Sequence, residues 1–232
     1  GVTGAIDRPR PTPVKTTAKA TTPKAATGKA ALALGGGAYN LSGLDLHDGT
    51  VYQDGSTYYA VGTQYGCGYQ WQVNSTFCGF GVSTAPSLAG PWSAPAQLFP
   101  PGSADPTGGT WQQSCAENGS KGCFNPRMIK RSDGVWVLWF NDVAHRTAAT
   151  NSAYVTMGCN GPAGPCGATA GAPYGSTHIP SLHQCNGNNG DFTLVNDSTG
   201  YAIICTYGGY LSEEHLDVWL TNGNGVGTGS PG

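Results

Sequence analysis

An all-β fold of propeller type is what the 232-residue sequence predicts, on three observations. The first is a phrase that occurs three times: HDGTVYQDGSTYYAVGT over 47–63, NPRMIKRSDGVWVLWFND over 125–142 and GDFTLVNDSTGYAIICTY over 190–207. Each runs from a polar residue through a short alternating apolar stretch to an Asp/Ser/Gly turn, then into an aromatic-rich stretch. Such turns accept positive φ, and aromatic and β-branched residues suit a pleated surface, so each phrase reads as a β-hairpin. The second is the spacing of the turn glycines Gly55, Gly134 and Gly200, which lie 79 and 66 residues apart. That long, uneven period fits blades with variable loops better than a tight solenoid. The third is composition: 37 Gly and 16 Pro leave no convincing helix anywhere in the chain.

Taken in order, residues 1–36 hold Thr, Ala, Lys and Pro with no aromatic and no Cys, and carry six basic residues against Asp7 alone. A segment so poor in apolar surface cannot offset its ordering entropy and is expected to be a disordered linker or tail. From 37 to 232 a single β domain is expected, with strands at 49–53, 57–63, 78–83, 127–131, 135–140, 152–157, 192–196, 201–206 and 215–220. The stretches 86–122 and 158–190 are too rich in Gly, Pro, Ser and Asn for regular structure. Three blades of roughly 60 residues use up this length, whereas closed propellers have four to eight. About three blades are therefore expected here, with the remainder beyond the C-terminal NGNGVGTGSPG.

Eight cysteines, none in a C-x-x-C pair, suggest an oxidising compartment. Of 105 conceivable pairings, the neighbour scheme Cys67–Cys78, Cys115–Cys123, Cys159–Cys166 and Cys185–Cys205 gives four short local bridges. Glycosylation sequons begin at Asn40, Asn74, Asn118 and Asn196. No signal peptide is visible and no stretch is long and apolar enough to span a membrane. A secreted, extracellular, monomeric protein is expected. Beyond residue 36 the domain carries 12 acids against five bases and many aromatics. That balance suits neutral sugars and argues against nucleic acid as a partner, since the basic residues of the tail have no aromatics among them.

Asp48 and Asp191 each stand six residues before a turn aspartate, Asp54 and Asp197, and so occupy the same point of equivalent hairpins. First strands line the central channel of a propeller, so these carboxylates are expected to converge, although either could instead bond the backbone of a turn. The middle repeat has Asn125 and Arg127 in their place. Two convergent carboxylates beside a neutral sugar are the equipment of glycoside hydrolysis. Glutamates are scarce, only Glu117, Glu213 and Glu214. The adjacent pair follows the third hairpin, and neighbours in a strand face opposite sides, so one of the two is a candidate proton donor. The five histidines match no zinc spacing, although His47 lies in the polar cluster Asp45-x-His47-Asp48. No nucleophile elbow, P-loop or dinucleotide fingerprint is present.

Region 44–221 resembles the first three blades of the five-bladed propeller of glycoside hydrolase family 43, nearest its exo-β-1,3-galactanase-type branch. The likeness rests on His47-Asp48-Gly49, on Pro126-Arg127-Met128-Ile129 leading to Val137-Leu138-Trp139, on Gly190-Asp191-Phe192-Thr193-Leu194 with Asp197, and on Ser212-Glu213-Glu214-His215-Leu216. Carried over position by position, the resemblance implies Glu213 as general acid, Asp191 as the residue that tunes it and orients the sugar, and Asp48 near the general base of an inverting enzyme. His47, Asn125 and Glu214 are implied as substrate-binding neighbours. Asn125 departs from the branch, which has an acid before that proline, and Glu214 blurs the register at the acid. The function expected is cleavage of a galactan, arabinogalactan, arabinan or xylan, with polysaccharide as partner. A non-catalytic carbohydrate-binding propeller and an inactive homologue are the alternatives. Such folds can hold a structural calcium ion on the axis, but no Asp cluster here demands one, and no other cofactor or metal is expected.

Overall fold

Eleven strands in three antiparallel sheets make up the described part of the computed structural model, which covers residues 41, 43–118, 121–142, 154–170, 177–185, 191–207 and 209–217. The expected linker at 1–36, the sequon at Asn40 and the end of the chain lie outside these residues. The first sheet runs β1 (His47–Asp54), β2 (Thr57–Thr63), β3 (Phe80–Ala85) and β4 (Ala96–Gln97) in sequence order. The second repeats that meander with β5 (Cys123–Lys130), β6 (Trp136–Asp142), β7 (Tyr154–Cys159) and β8 (Thr177–His178). The third holds β9 (Phe192–Asp197), β10 (Gly200–Tyr207) and β11 (Tyr210–His215), ordered β11-β10-β9. Each repeated phrase is thus the first hairpin of one sheet.

The turns close as their chemistry requires. Gly55, Gly134 and Gly200 have φ of 58°, 90° and 125°, where a side chain would be strained. Pairing follows directly, with Asp54 opposite Thr57, Lys130 opposite Trp136 and Asp197 opposite Gly200.

Two features were not legible beforehand. Among the described residues the last strand is Tyr210–His215, earlier than the expected 215–220, of which 218–220 lie outside the described residues; it pairs with β10 through Ser212 opposite Cys205 and Glu214 opposite Ile203. Its first residues, Tyr210 and Leu211, are 77% and 78% exposed, and this hairpin lacks the hydrophobic alternation that marks the other strands. The chain also has a one-turn helix, α1 (Trp111–Ser114), and a 3₁₀ turn at Gly167–Ala170, in stretches read as irregular. The helix starts on a capping box: Gln113 N–H donates to the Thr110 hydroxyl while the Gln113 side chain accepts from Thr110 N–H.

All seven residues of β6 are buried, which identifies the second sheet as the middle layer. Trp136, Leu138 and Phe140 face one cluster, shared with Val61, Phe80, Phe99, Trp111 and Met157. Val137 and Trp139 point the other way, toward Ile129, Tyr154, Leu182, Phe192 and Ile203. Each large side chain buried this way contributes about 1.5–3 kcal/mol. All four disulfides form as the neighbour scheme has them, over separations of 11, 8, 7 and 20 residues. Closing loops of that size stabilises by roughly 2.5–3.5 kcal/mol each in the chain-entropy account.

β1 and β5 share an irregularity. Pairing slips between His47 and Thr50 in one and between Phe124 and Arg127 in the other, a β-bulge at the same point of two sheets. In β1 the bulge brings backbones together so closely that a Cβ on Gly49 would sit 1.6 Å from the Val61 carbonyl oxygen. Gly49→Ala is therefore expected to destabilise by about 3 kcal/mol or more through forced strand separation. Chemical unfolding of the two proteins measures it, with an unchanged midpoint as the contrary result.

Candidate active site

The two bulges place equivalent side chains. Asp48 and Asn125 adopt φ of 49° and 56°, a left-handed conformation that Asp and Asn tolerate better than other residues with a side chain. Both side chains consequently leave the plane of their sheets and enter one cleft of about 250 Å³, where Asp191, the residue before β9, joins them. The starts of three first strands thus converge, and the Asn125 amide lies 3.5 Å from the Asp191 carboxylate. The wall is aromatic, made by Tyr65, Trp71 and Phe124, and Asn141 completes the lining.

Arg127 sits behind this meeting point. Its Nη1 donates to the backbone carbonyls of Asp48 at 2.6 Å and Pro126 at 3.0 Å, and its Nε to that of Phe192 at 3.2 Å. The guanidinium carbon also lies 5.6 Å from the centre of the Phe192 ring. Burial works against its charge, while Asp48 and Asp191 favour it; arginine stays protonated in any case. Asp48 is raised above the ordinary aspartate value because enclosure in the site disfavours its charge. Opposing that rise are the Thr63 hydroxyl, which donates to Asp48 Oδ1 at 2.7 Å, backbone N–H groups of Thr63 and Asn125, and Arg127. Asp48 is therefore an ionisable carboxylate with increased basicity, still open to solvent on the cleft side. Tyr65 is pushed up to about 12, first by burial and then by the negative charge of Asp48 and Glu117, so its hydroxyl remains a donor at working pH.

His47 is exposed and stacks on Tyr65, ring centres 4.0 Å apart, with Nε2 3.5 Å from Asp45 Oδ1. It supports the wall from outside.

The two glutamates part company. Glu213 is exposed on β11 and is not among the residues lining the cleft. Glu214, on the opposite face, is 2% exposed. Its Oε1 accepts from His183 N–H at 2.8 Å, and its Oε2 from Gln184 and Cys185 N–H at 2.8 and 3.1 Å. The carboxylate implied as substrate-binding is occupied in fastening loop 183–185, beside the Cys185–Cys205 bridge, and does not line the cleft. Among the described residues, one group brings three metal-type donors together, Cys115, Cys123 and Asp142, and its two sulfurs form a disulfide.

Tyr65, Trp71, Phe124 and Asn141 were not singled out from sequence. Trp71 had a signal, an aromatic inside the short span between Cys67 and Cys78. Asn141 had another, since it pairs with Phe124 as Thr63 pairs with His47 across the equivalent bulge.

No protein-family model matches the chain, and none of the curated proteins matches it by sequence. Solved structures do match. An exo-β-1,3-galactanase from Phanerochaete chrysosporium, solved with galactose, superposes with a TM-score of 0.54 at 18% identity, over 81% of this chain and 39% of that one. The fold is that of the family 43 glycoside hydrolases. A family 43 β-1,3-galactosidase with bound galactodeoxynojirimycin gives 0.54 at 12% identity, over 77% of this chain and 60% of that one. A family 43 protein from Bacillus licheniformis gives 0.50 at 14% identity, over 82% and 30%. This chain spans between 30% and 60% of the length of these structures.

Removing the Glu214 carboxylate would leave three loop N–H groups without their acceptor. Glu214→Ala is expected to cost about 3 kcal/mol or more, whereas Glu213→Ala at an exposed position should stay within about 0.5 kcal/mol. Paired denaturant titrations distinguish the two, and equal effects would contradict this division of roles.

Proposed function

We propose that the three sheets are blades of a five-bladed propeller in a secreted glycoside hydrolase, and that the cleft is its sugar-cleaving site. The observation that carries this reading is the convergence of Asp48, Asn125 and Asp191 from equivalent strand starts beside an aromatic wall. The four disulfides and the exposed sequon asparagines Asn74, Asn118 and Asn196 support an extracellular setting. The substrate class is a galactan, arabinogalactan, arabinan or xylan, cleaved with inversion. Asp48, its basicity increased by enclosure, takes the proton of the attacking water. Glu213 protonates the leaving oxygen, and Asp191, braced by Asn125, orients the ring. Inversion needs about 6.5–9.5 Å between base and acid carboxyls to admit the water.

A second reading, a carbohydrate-binding propeller without catalysis, is favoured by two specific facts. Asn125 stands where the related branch has an acid, and Glu213 is not part of the cleft lining.

Sugar release from β-1,3-galactan, arabinogalactan, arabinan and xylan decides between them. Release is expected from one polymer, reduced about 10²–10⁴-fold in Glu213→Gln and in Asp48→Asn. Glycan binding without release in any protein selects the second reading. The pH profile gives an independent check. The base must be ionised, so kcat/KM falls as pH drops through the raised Asp48 value, above the 3.8 of an ordinary aspartate. Thr63→Val removes a hydrogen bond that favours the carboxylate and should move this acid limb to higher pH. A limb that stays in place would show that Asp48 is not the base.

A further inference from the structure

The loop between β2 and β3 is built unlike a plain connector. The Cys67–Cys78 bridge closes its base. Tyr69 roots one leg in the core, fully buried, its hydroxyl bonded to Cys123 N–H at 2.7 Å and to the Cys115 carbonyl at 2.9 Å. The other leg is pinned by a two-way backbone bridge between Ser75 and Glu117, at 3.0 and 2.9 Å. Between these anchors the tip turns tightly, Val73 N–H donating to the Gln70 carbonyl at 3.3 Å with Gln72 at φ 61°. Trp71 stands on that tip. It is 46% exposed, meets Phe124 edge to face at 5.4 Å, and lines the same cleft as Asp48 and Asp191.

The anchors fix the tip in place, so the half-exposed indole is presented at the cleft instead of being folded onto the core. What fits a flat aromatic face beside carboxylates and amides is a pyranose ring, apolar C–H groups on one side and hydroxyls at its rim. We infer that the disulfide-closed loop 67–78 is a preformed platform on which Trp71 stacks a sugar ring next to the carboxylates, setting glycan affinity and selectivity. The inference rests on the carbohydrate reading of the cleft and adds the residue that selects the ring. The bridge contributes by keeping the tip ordered before binding, so that ligand binding does not have to order it.

Calorimetric titration with β-1,3-galactotriose, xylotriose and arabinotriose tests this, alongside tryptophan fluorescence. The protein should bind at least one of the three with a change in emission. Trp71→Ala should weaken that binding about tenfold, and Trp71→Phe should retain most of it while losing the emission change. Exchanging Cys67 and Cys78 together for Ser should weaken binding through a less favourable entropy. Binding that is equally tight in Trp71→Ala overturns the platform and leaves the carbohydrate reading standing. No binding of any of the three by the unaltered protein overturns both.

Discussion

One guanidinium holds the architecture of the site together. Arg127 collects backbone carbonyls from Asp48, Pro126 and Phe192, so a single planar group ties the starts of β1, β5 and β9. Carbonyl oxygens at a bulge or strand start lack ladder partners, and a half-buried cation that donates to several of them satisfies both sides at once. The same positive charge lies near two carboxylates that would otherwise repel each other in a confined space. Position and charge balance in the cleft therefore depend on one residue that is not itself among those lining it.

Bulges complete the arrangement. A regular strand alternates its side chains between two faces, both of which are packed in the middle sheet, so a residue must leave the pleat to reach the cleft. Asp48 and Asn125 do this by the same backbone detour. Gly49 and Pro126 follow them, the first because no side chain fits, the second because it carries no N–H to pair. The repeat in the sequence is thus a repeat of backbone distortion as well as of strands.

The hairpins were legible because turn chemistry and alternation are local signals, and β2 was bounded as observed while β1, β6, β9 and β10 shifted by one or two residues. The convergence of Asp48, Asn125 and Asp191 was legible too, since equivalent points of equivalent hairpins share a place in space. β11 was not, because its partner β10, rather than its own pattern, makes it a strand; Tyr210 and Leu211 lie outside any core. Glu214 could be assigned only once the fold brought residues 183–185 to it, across about 30 positions of sequence. Two of the three wall aromatics, Tyr65 and Trp71, were hidden in the loop between β2 and β3, where burial of Tyr69 beside exposure of Trp71 leaves no periodic trace.

The disulfides have a consequence for biogenesis. None spans more than 20 residues, and each ties a loop to its own neighbourhood instead of one sheet to another. Every cysteine therefore finds its mate within a short stretch of chain, and wherever thiols are oxidised the two can join before distant parts of the chain compete. Covalent closure can proceed sheet by sheet in the direction of synthesis, with little call for reshuffling by an isomerase. What remains for the finished chain is the docking of pre-stapled units around a shared arginine.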